Sequence, residues 1–195
     1  MASTTEQVKK LRDETGVSIM DCKKALDEAK GDLEKARKLL EARSKAVALK
    51  KQSREVGAGI VTSYIHSNDR VGVLLELHCE TEFVARNDQF KALAYDIALH
   101  VAAMKPEYIS HEDFPKEFIE ERKKFFADEV AKEKKPKEVQ QKIIDGKLDA
   151  FLKENSLLSQ TFVKNSEQTV ADVIADATAT LGEKIVVGRF VRFEV

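Results

Sequence analysis

The sequence predicts an α+β protein: an N-terminal three-helix bundle followed by a core in which helices pack a small antiparallel sheet. Three observations lead there. Apolar residues recur at helical spacing through the first forty-odd positions, and a period of two takes over at Ile60–Glu80 and again at Ile185–Val195. The helical segments between those stretches do not alternate one for one with strands, which separates this pattern from a parallel α/β fold. The 195 residues are 43% hydrophobic and 34% charged, enough to bury a sizeable core. A formal net charge of -1 gives no bulk attraction to nucleic acid or to an anionic membrane. We expect a bundle at 1–45, a basic linker at 46–56 and a core at 57–195.

In the bundle, Thr4-Thr5-Glu6-Gln7 has capping-box spacing, and Val8 and Leu11 begin an apolar stripe that Gly16 ends. The second helix runs over Asp21–Ala29, with Cys22, Ala25, Leu26 and Ala29 on one face. Gly31-Asp32 stops it and caps a third, whose apolar side is Leu33, Ala36, Leu39 and Leu40. Lys23, Lys24 and Lys30 are interleaved with Asp27 and Glu28, so no concentrated basic recognition helix is present for DNA. Protein docking is the competing use, and a plain solvated face accounts for Lys23 and Lys24 equally well. From Ala42 to Glu55 the cations Arg43, Lys45, Lys50, Lys51 and Arg54 face the single acid Glu55. Without an aromatic platform, a partly helical connector fits that run better than a nucleic-acid arm.

In the core, Gly57-Ala58-Gly59 breaks the helical pattern, Ile60–His66 is a strand, and Ser67-Asn68-Asp69 is a tight turn. Arg70–Glu80 then returns as the second strand of a hairpin, with Val71, Val73, Leu75, Leu77 and Cys79 on its strongly apolar face. Helices are expected at Lys116–Lys134, followed by a lysine-rich break before Pro136; at Lys137–Ile144, ending at Gly146; and at Lys147–Glu154. Val170, Val173, Ile174 and Ala177 mark a last helix closing at Gly182, and Ile185–Val195 is the third strand. Both faces of so small a sheet are apolar. One can be covered by this chain's helices; the other calls for a second copy or a partner.

Between the second strand and the helix carrying Phe90, Leu93, Ala94, Ile97, Val101 and Met104 lies Cys79–Asp88, a strand-to-helix corner with Asn87 or Asp88 placed to cap. Phe83 has two readings there. It is a hydrophobic staple packed one turn into the coming helix, or it forms with Glu82 an exposed pair of ring and carboxylate offered to a partner. An enzyme reading rests on His78, Cys79 and Glu80, but Cys79 points opposite to the other two; adding His66 from the neighbouring strand gives a conceivable two-His, one-carboxylate metal cluster. No phosphate-cradling glycine loop occurs. Cys22 and Cys79 read as small core residues. Neither a signal peptide, an Arg-rich transit peptide nor a membrane span is visible, so the cytoplasm is the expected compartment.

The run Thr81-Glu82-Phe83-Val84-Ala85-Arg86-Asn87 resembles the Thr-Asp-Phe-Val-Ala-Arg-Asn signature of the bacterial elongation factor Ts family, the nucleotide exchange factors of elongation factor Tu. The likeness extends to Met20–Leu26, Ser63–His66, Arg70–Leu74, His100–Ala103 with Lys105-Pro106, Lys135–Glu138, Gln160–Lys164 and Arg192–Val195. Departures are Glu82 where the family has Asp, Thr161 where it has Pro, and Val17-Ser18-Ile19 where Gly or Ala precedes the Met-Asp pair. The resemblance implies a bundle of the ubiquitin-associated type that docks on the GTPase domain of the GDP-bound partner. It also implies an acid–aromatic pair that enters near the partner's magnesium site. Carried onto this chain, those roles fall to Thr81, Glu82, Phe83 and Val84, with secondary contacts from Asp21, Lys23, Lys24, Tyr64, His66, Arg86 and Asn87. It implies a homodimer, since short members of the family dimerise, and it requires no catalytic residue, cofactor or metal of its own.

Overall fold

The computed structural model describes residues 4–131 and 136–195. Three helices open the chain: α1 (Thr5–Thr15), α2 (Ile19–Glu28) and α3 (Leu33–Lys51). Thr4 caps α1, its hydroxyl accepting from the Gln7 N–H while the Gln7 side chain accepts from the Thr4 N–H, the reciprocal box expected. Gly16 ends the helix at φ +67°, a conformation glycine adopts without steric cost. Ser18 caps α2, accepting from the Asp21 N–H and donating to the Asp21 carboxylate at 2.7 Å, so this helix starts earlier than Asp21. Asp32 caps α3 through the Lys35 N–H. Val8, Leu11, Cys22, Ala25, Leu26, Ala29, Ala36 and Leu40 form the bundle core. α3 continues unbroken past residue 45 to Lys51, so most of the connector is the last turns of a helix.

The chain continues as β1 (Ala58–Ile65), β2 (Val71–Cys79), α4 (Glu82–Ala85), α5 (Asp88–Met104), α6 (Lys116–Ala131), α7 (Lys137–Asn155), β3 (Thr161–Phe162), β4 (Asn165–Thr169), α8 (Val170–Leu181) and β5 (Val186–Glu194). It divides into two compact units, residues up to Leu99 with Ala171–Val195, and His100–Val170.

In the first unit the sheet has the order β1-β2-β5 with both pairs antiparallel. The inner face of β2, Val73, Leu75, Leu77 and Cys79, is buried. On that face Tyr64, opposite Val73, meets Tyr95 of α5 edge-on with centroids 5.7 Å apart. On the outer face Val61, Ile65, Leu74, Val191 and Phe193 are exposed, and the register sets Leu74 opposite both Ser63 and Val191, and Gly72 opposite Ile65 and Phe193. A register shift between Leu75 and Leu77 brings Arg189 to Glu76 at 2.7 Å. Beside it the imidazole of His78 lies over Gly188, where a Cβ would come within 2.7 Å of Nε2. Both cysteines are free and buried, and burial pushes both thiols up from their ordinary value.

In the second unit α6 packs with α7. The Arg122 guanidinium sits 5.2 Å from the Phe118 ring centre and 4.7 Å from that of Phe151, two rings that also touch each other with centres 5.9 Å apart, so one cation lies beside an aromatic pair. α7 is one helix through Gly146, not the two short ones expected. Gly146 does not take a positive φ, so it costs helix propensity without ending the helix. The expected extension of α6 to Lys134 and the lysine-rich break before Pro136 lie outside the described residues. The β3–β4 ribbon was not foreseen. His100 is buried, its Nδ1 accepting from the Val163 N–H at 3.2 Å; Nε2 therefore carries the proton and donates to Gln160 Oε1 at 2.9 Å. Desolvation holds its pKa below the ordinary histidine value. Among the described residues no helix is long and apolar enough to cross a membrane.

Candidate functional site

β2 delivers the chain to the corner, and Thr81 turns it. Thr81 has extended backbone angles, and its hydroxyl accepts from the Val84 N–H at 3.4 Å to cap α4. This one-turn helix divides its residues sharply: Val84 and Ala85 are buried, whereas Phe83 is 84% exposed. The exposure excludes the staple reading, since a ring so open packs against no residue one turn on. Glu82 and Arg86 are exposed beside it, with Arg86 Nε 3.9 Å from Glu82 Oε2, a distance worth little in water. Asn87 accepts from the Gln89 N–H at 2.7 Å through its side chain and from the Lys91 N–H through its carbonyl, capping α5. Glu82, Phe83, Arg86 and Asn87 together line an open concavity.

Two carboxylates from opposite sides hold this corner. Glu80 accepts the Lys184 N–H at 2.6 Å and the Arg54 guanidinium at 3.2 Å. The Lys184 bond, then Arg54, keeps the Glu80 carboxyl below its usual range. In return Glu183 accepts the Glu80 N–H at 3.1 Å, the Thr81 N–H at 3.0 Å and the Thr81 hydroxyl at 2.6 Å. The Lys184 ammonium donates to the carbonyls of Gln52 and Arg54 at 2.8 and 2.7 Å, tying down the segment after α3. Sequence reasoning missed Glu183 and Lys184. No local pattern joins positions a hundred residues apart.

The remaining site residues lie on or beside other elements, α2 and β1. Asp21 is engaged in the α2 cap and Lys23 and Lys24 are exposed on α2. Tyr64 is half-buried and donates or accepts at His66 Nδ1, 3.0 Å away. The two-His, one-carboxylate cluster fails on register: His78 pairs with Gly59, and His66 lies seven residues further along the same chain, about 23 Å at strand rise. Among the described residues no group of three or more His, Cys, Asp or Glu is placed to hold a metal ion.

The corner thus bears an exposed ring and an exposed acid, held from beneath by the buried Val84 and Ala85. A family model described as Elongation factor TS matches residues 22–195. The chain belongs to the elongation factor Ts family. Full-length relatives carry the same description: it is 50% identical to Elongation factor Ts of Thermosipho melanesiensis over 96% of each chain. It is also 49% identical to that of Thermodesulfovibrio yellowstonii over 100% of this chain and 97% of the relative, and 46% identical to that of Fervidobacterium nodosum over 100% and 99%. Membership of the elongation factor Ts family makes the chain a translation elongation factor of protein biosynthesis. Glu82 and Phe83, which resemble the family's acid–aromatic pair, are both exposed at this corner.

Proposed function

We propose that this chain is the nucleotide exchange factor of elongation factor Tu: it binds the GDP-bound form, disturbs the magnesium and nucleotide site, and promotes GDP release so that GTP can bind. The observation that carries the reading is Phe83, 84% exposed on a helical turn whose next two residues are buried. A large ring offered to solvent on a fixed support is an interface anchor. Such a role uses no nucleophile or catalytic acid. It works by coupling: a partner conformation that grips this chain well grips nucleotide and magnesium poorly, and each ligand weakens the other by the same factor.

In this reading Phe83 is the wedge and Glu82 the polar probe, with Thr81 and Val84 setting their presentation. Glu82 keeps the family's carboxylate on a side chain one methylene longer, which extends its reach. Residues 1–45 dock on the GTPase domain through a surface that includes Asp21, Lys23 and Lys24. Residues 46–56 connect, and 57–195 carry the corner and dimerise. Tyr64, His66, Arg86 and Asn87 supply secondary contacts. A second copy covers the outer sheet face, where Val61, Ile65, Leu74, Val191 and Phe193 lie exposed together. The compartment is the cytoplasm, where translation runs.

The test is direct. Elongation factor Tu loaded with a fluorescent GDP analogue is mixed with this protein in stopped flow, and release that quickens with its concentration is the expected result. Release unchanged at every concentration would end the proposal.

A further inference from the structure

We propose that Glu183 is a positioning residue of the exchange corner, setting the cap that aims Phe83; this rests on the exchange reading above. A helix of four residues has no stability of its own, because nucleation fixes several residues for a single hydrogen bond. Its direction must be imposed from outside. Val84 and Ala85 anchor the turn by burial, but burial of two small side chains leaves its start undefined.

Glu183 defines that start. One carboxylate oxygen takes both the Glu80 and Thr81 N–H groups, and the other takes the Thr81 hydroxyl proton at 2.6 Å. The Thr81 hydroxyl has one proton to give. With that proton committed to Glu183, its oxygen is left as the acceptor for the Val84 N–H, which is the capping bond of α4. The carboxylate therefore sets the polarity of the cap as well as the path of the backbone. These are charge-assisted bonds, the stronger class.

Glu183 reaches the corner because Gly182, at φ +79°, turns the chain at the end of α8. The same turn brings the Lys184 N–H to Glu80. The exchange is reciprocal, since each carboxylate binds the backbone of the other's segment. Glu183 does not line the concavity formed by Glu82, Phe83, Arg86 and Asn87, so its influence passes through Thr81.

The experiment uses the full chain with Glu183→Ala, the isosteric Glu183→Gln, Phe83→Ala, and Glu183→Ala combined with Phe83→Ala. Stopped-flow release of fluorescent GDP from elongation factor Tu is read over a range of protein concentrations. Amide exchange at Thr81 and Val84 is read by NMR without any partner. We expect Glu183→Ala to lower the maximal release rate about tenfold, with the half-saturating concentration changing less. Glu183→Gln keeps part of the rate, and Glu183→Ala adds no further loss once Phe83 is gone. Protection of the Val84 N–H falls in Glu183→Ala. Full additivity of the two substitutions, or unchanged Val84 protection, overturns the proposal. Should the unsubstituted protein fail to release GDP, the exchange reading falls on its own, and the amide data still decide whether Glu183 holds the corner.

Discussion

Phe83 and Val84 are consecutive on a single helical turn, yet one is 84% exposed and the other 4%. The turn is anchored by the second so that it can offer the first. Phe83→Ala is therefore expected to leave the thermal midpoint within error, as the ring contributes almost nothing to the packed interior. The same substitution weakens stimulated GDP release by about 2–4 kcal/mol in activation terms. Paired calorimetry and stopped flow read both; a large fall in melting temperature would return the ring to the core.

Phe193 stands on the outer sheet face, 66% exposed, with Leu74 and Val191 exposed along the same face. Phe193→Glu puts a charge where a second copy would bury an apolar surface. A dimer by light scattering at micromolar concentration is the expected state of the unsubstituted chain, and a monomer that of the variant. A monodisperse monomer before substitution would contradict the assigned occupant.

His100 binds its proton less readily in the folded protein because burial disfavours the imidazolium and outweighs the opposing hydrogen bond to Gln160. The unfolded chain then holds more protons near its ordinary pKa of about 6.5, so stability rises with pH. The contribution is complete above that value. It is lost as pH falls below it toward the folded pKa, by up to about 1.4 kcal/mol per unit. An NMR titration should find His100 protonating below about pH 6.5; protonation above that value would reverse the sign.

Gly146 lies inside α7, and an added Cβ there meets nothing within 4 Å. Gly146→Ala is expected to raise stability by about 1 kcal/mol. Chemical denaturation of the two proteins side by side measures it, and a lower midpoint in the variant would show that the helix uses glycine for something other than its backbone.

Much of the architecture was legible before any coordinates. The Thr4–Gln7 box, the Gly16 stop and the alternation of Val71 to Cys79 are local signals with local causes. Gly146 misled because a glycine after an apolar stripe is also how helices end; a glycine stop takes positive φ, which Gly16 and Gly182 adopt and Gly146 does not. The β3–β4 ribbon escaped because it is two residues against five, joined without an Asn-Gly or Gly-rich turn. For the site, Glu82 and Phe83 were visible as an unusual pair, but the choice between staple and exposed ring depends on what lies beneath Val84. Glu183 was out of reach altogether, since its meaning comes from a partner 102 positions away.

Cys22 and Cys79 have a practical consequence. One lies in the bundle core and the other at the end of β2, both buried with raised thiol pKa values. Only the thiolate attacks an alkylating reagent, and only after the reagent reaches sulfur. Each cysteine is thus a native stopwatch for local opening. Mass spectrometry of the two labelled peptides would time the breathing of the bundle and of the strand beneath the corner in one tube, with no foreign probe.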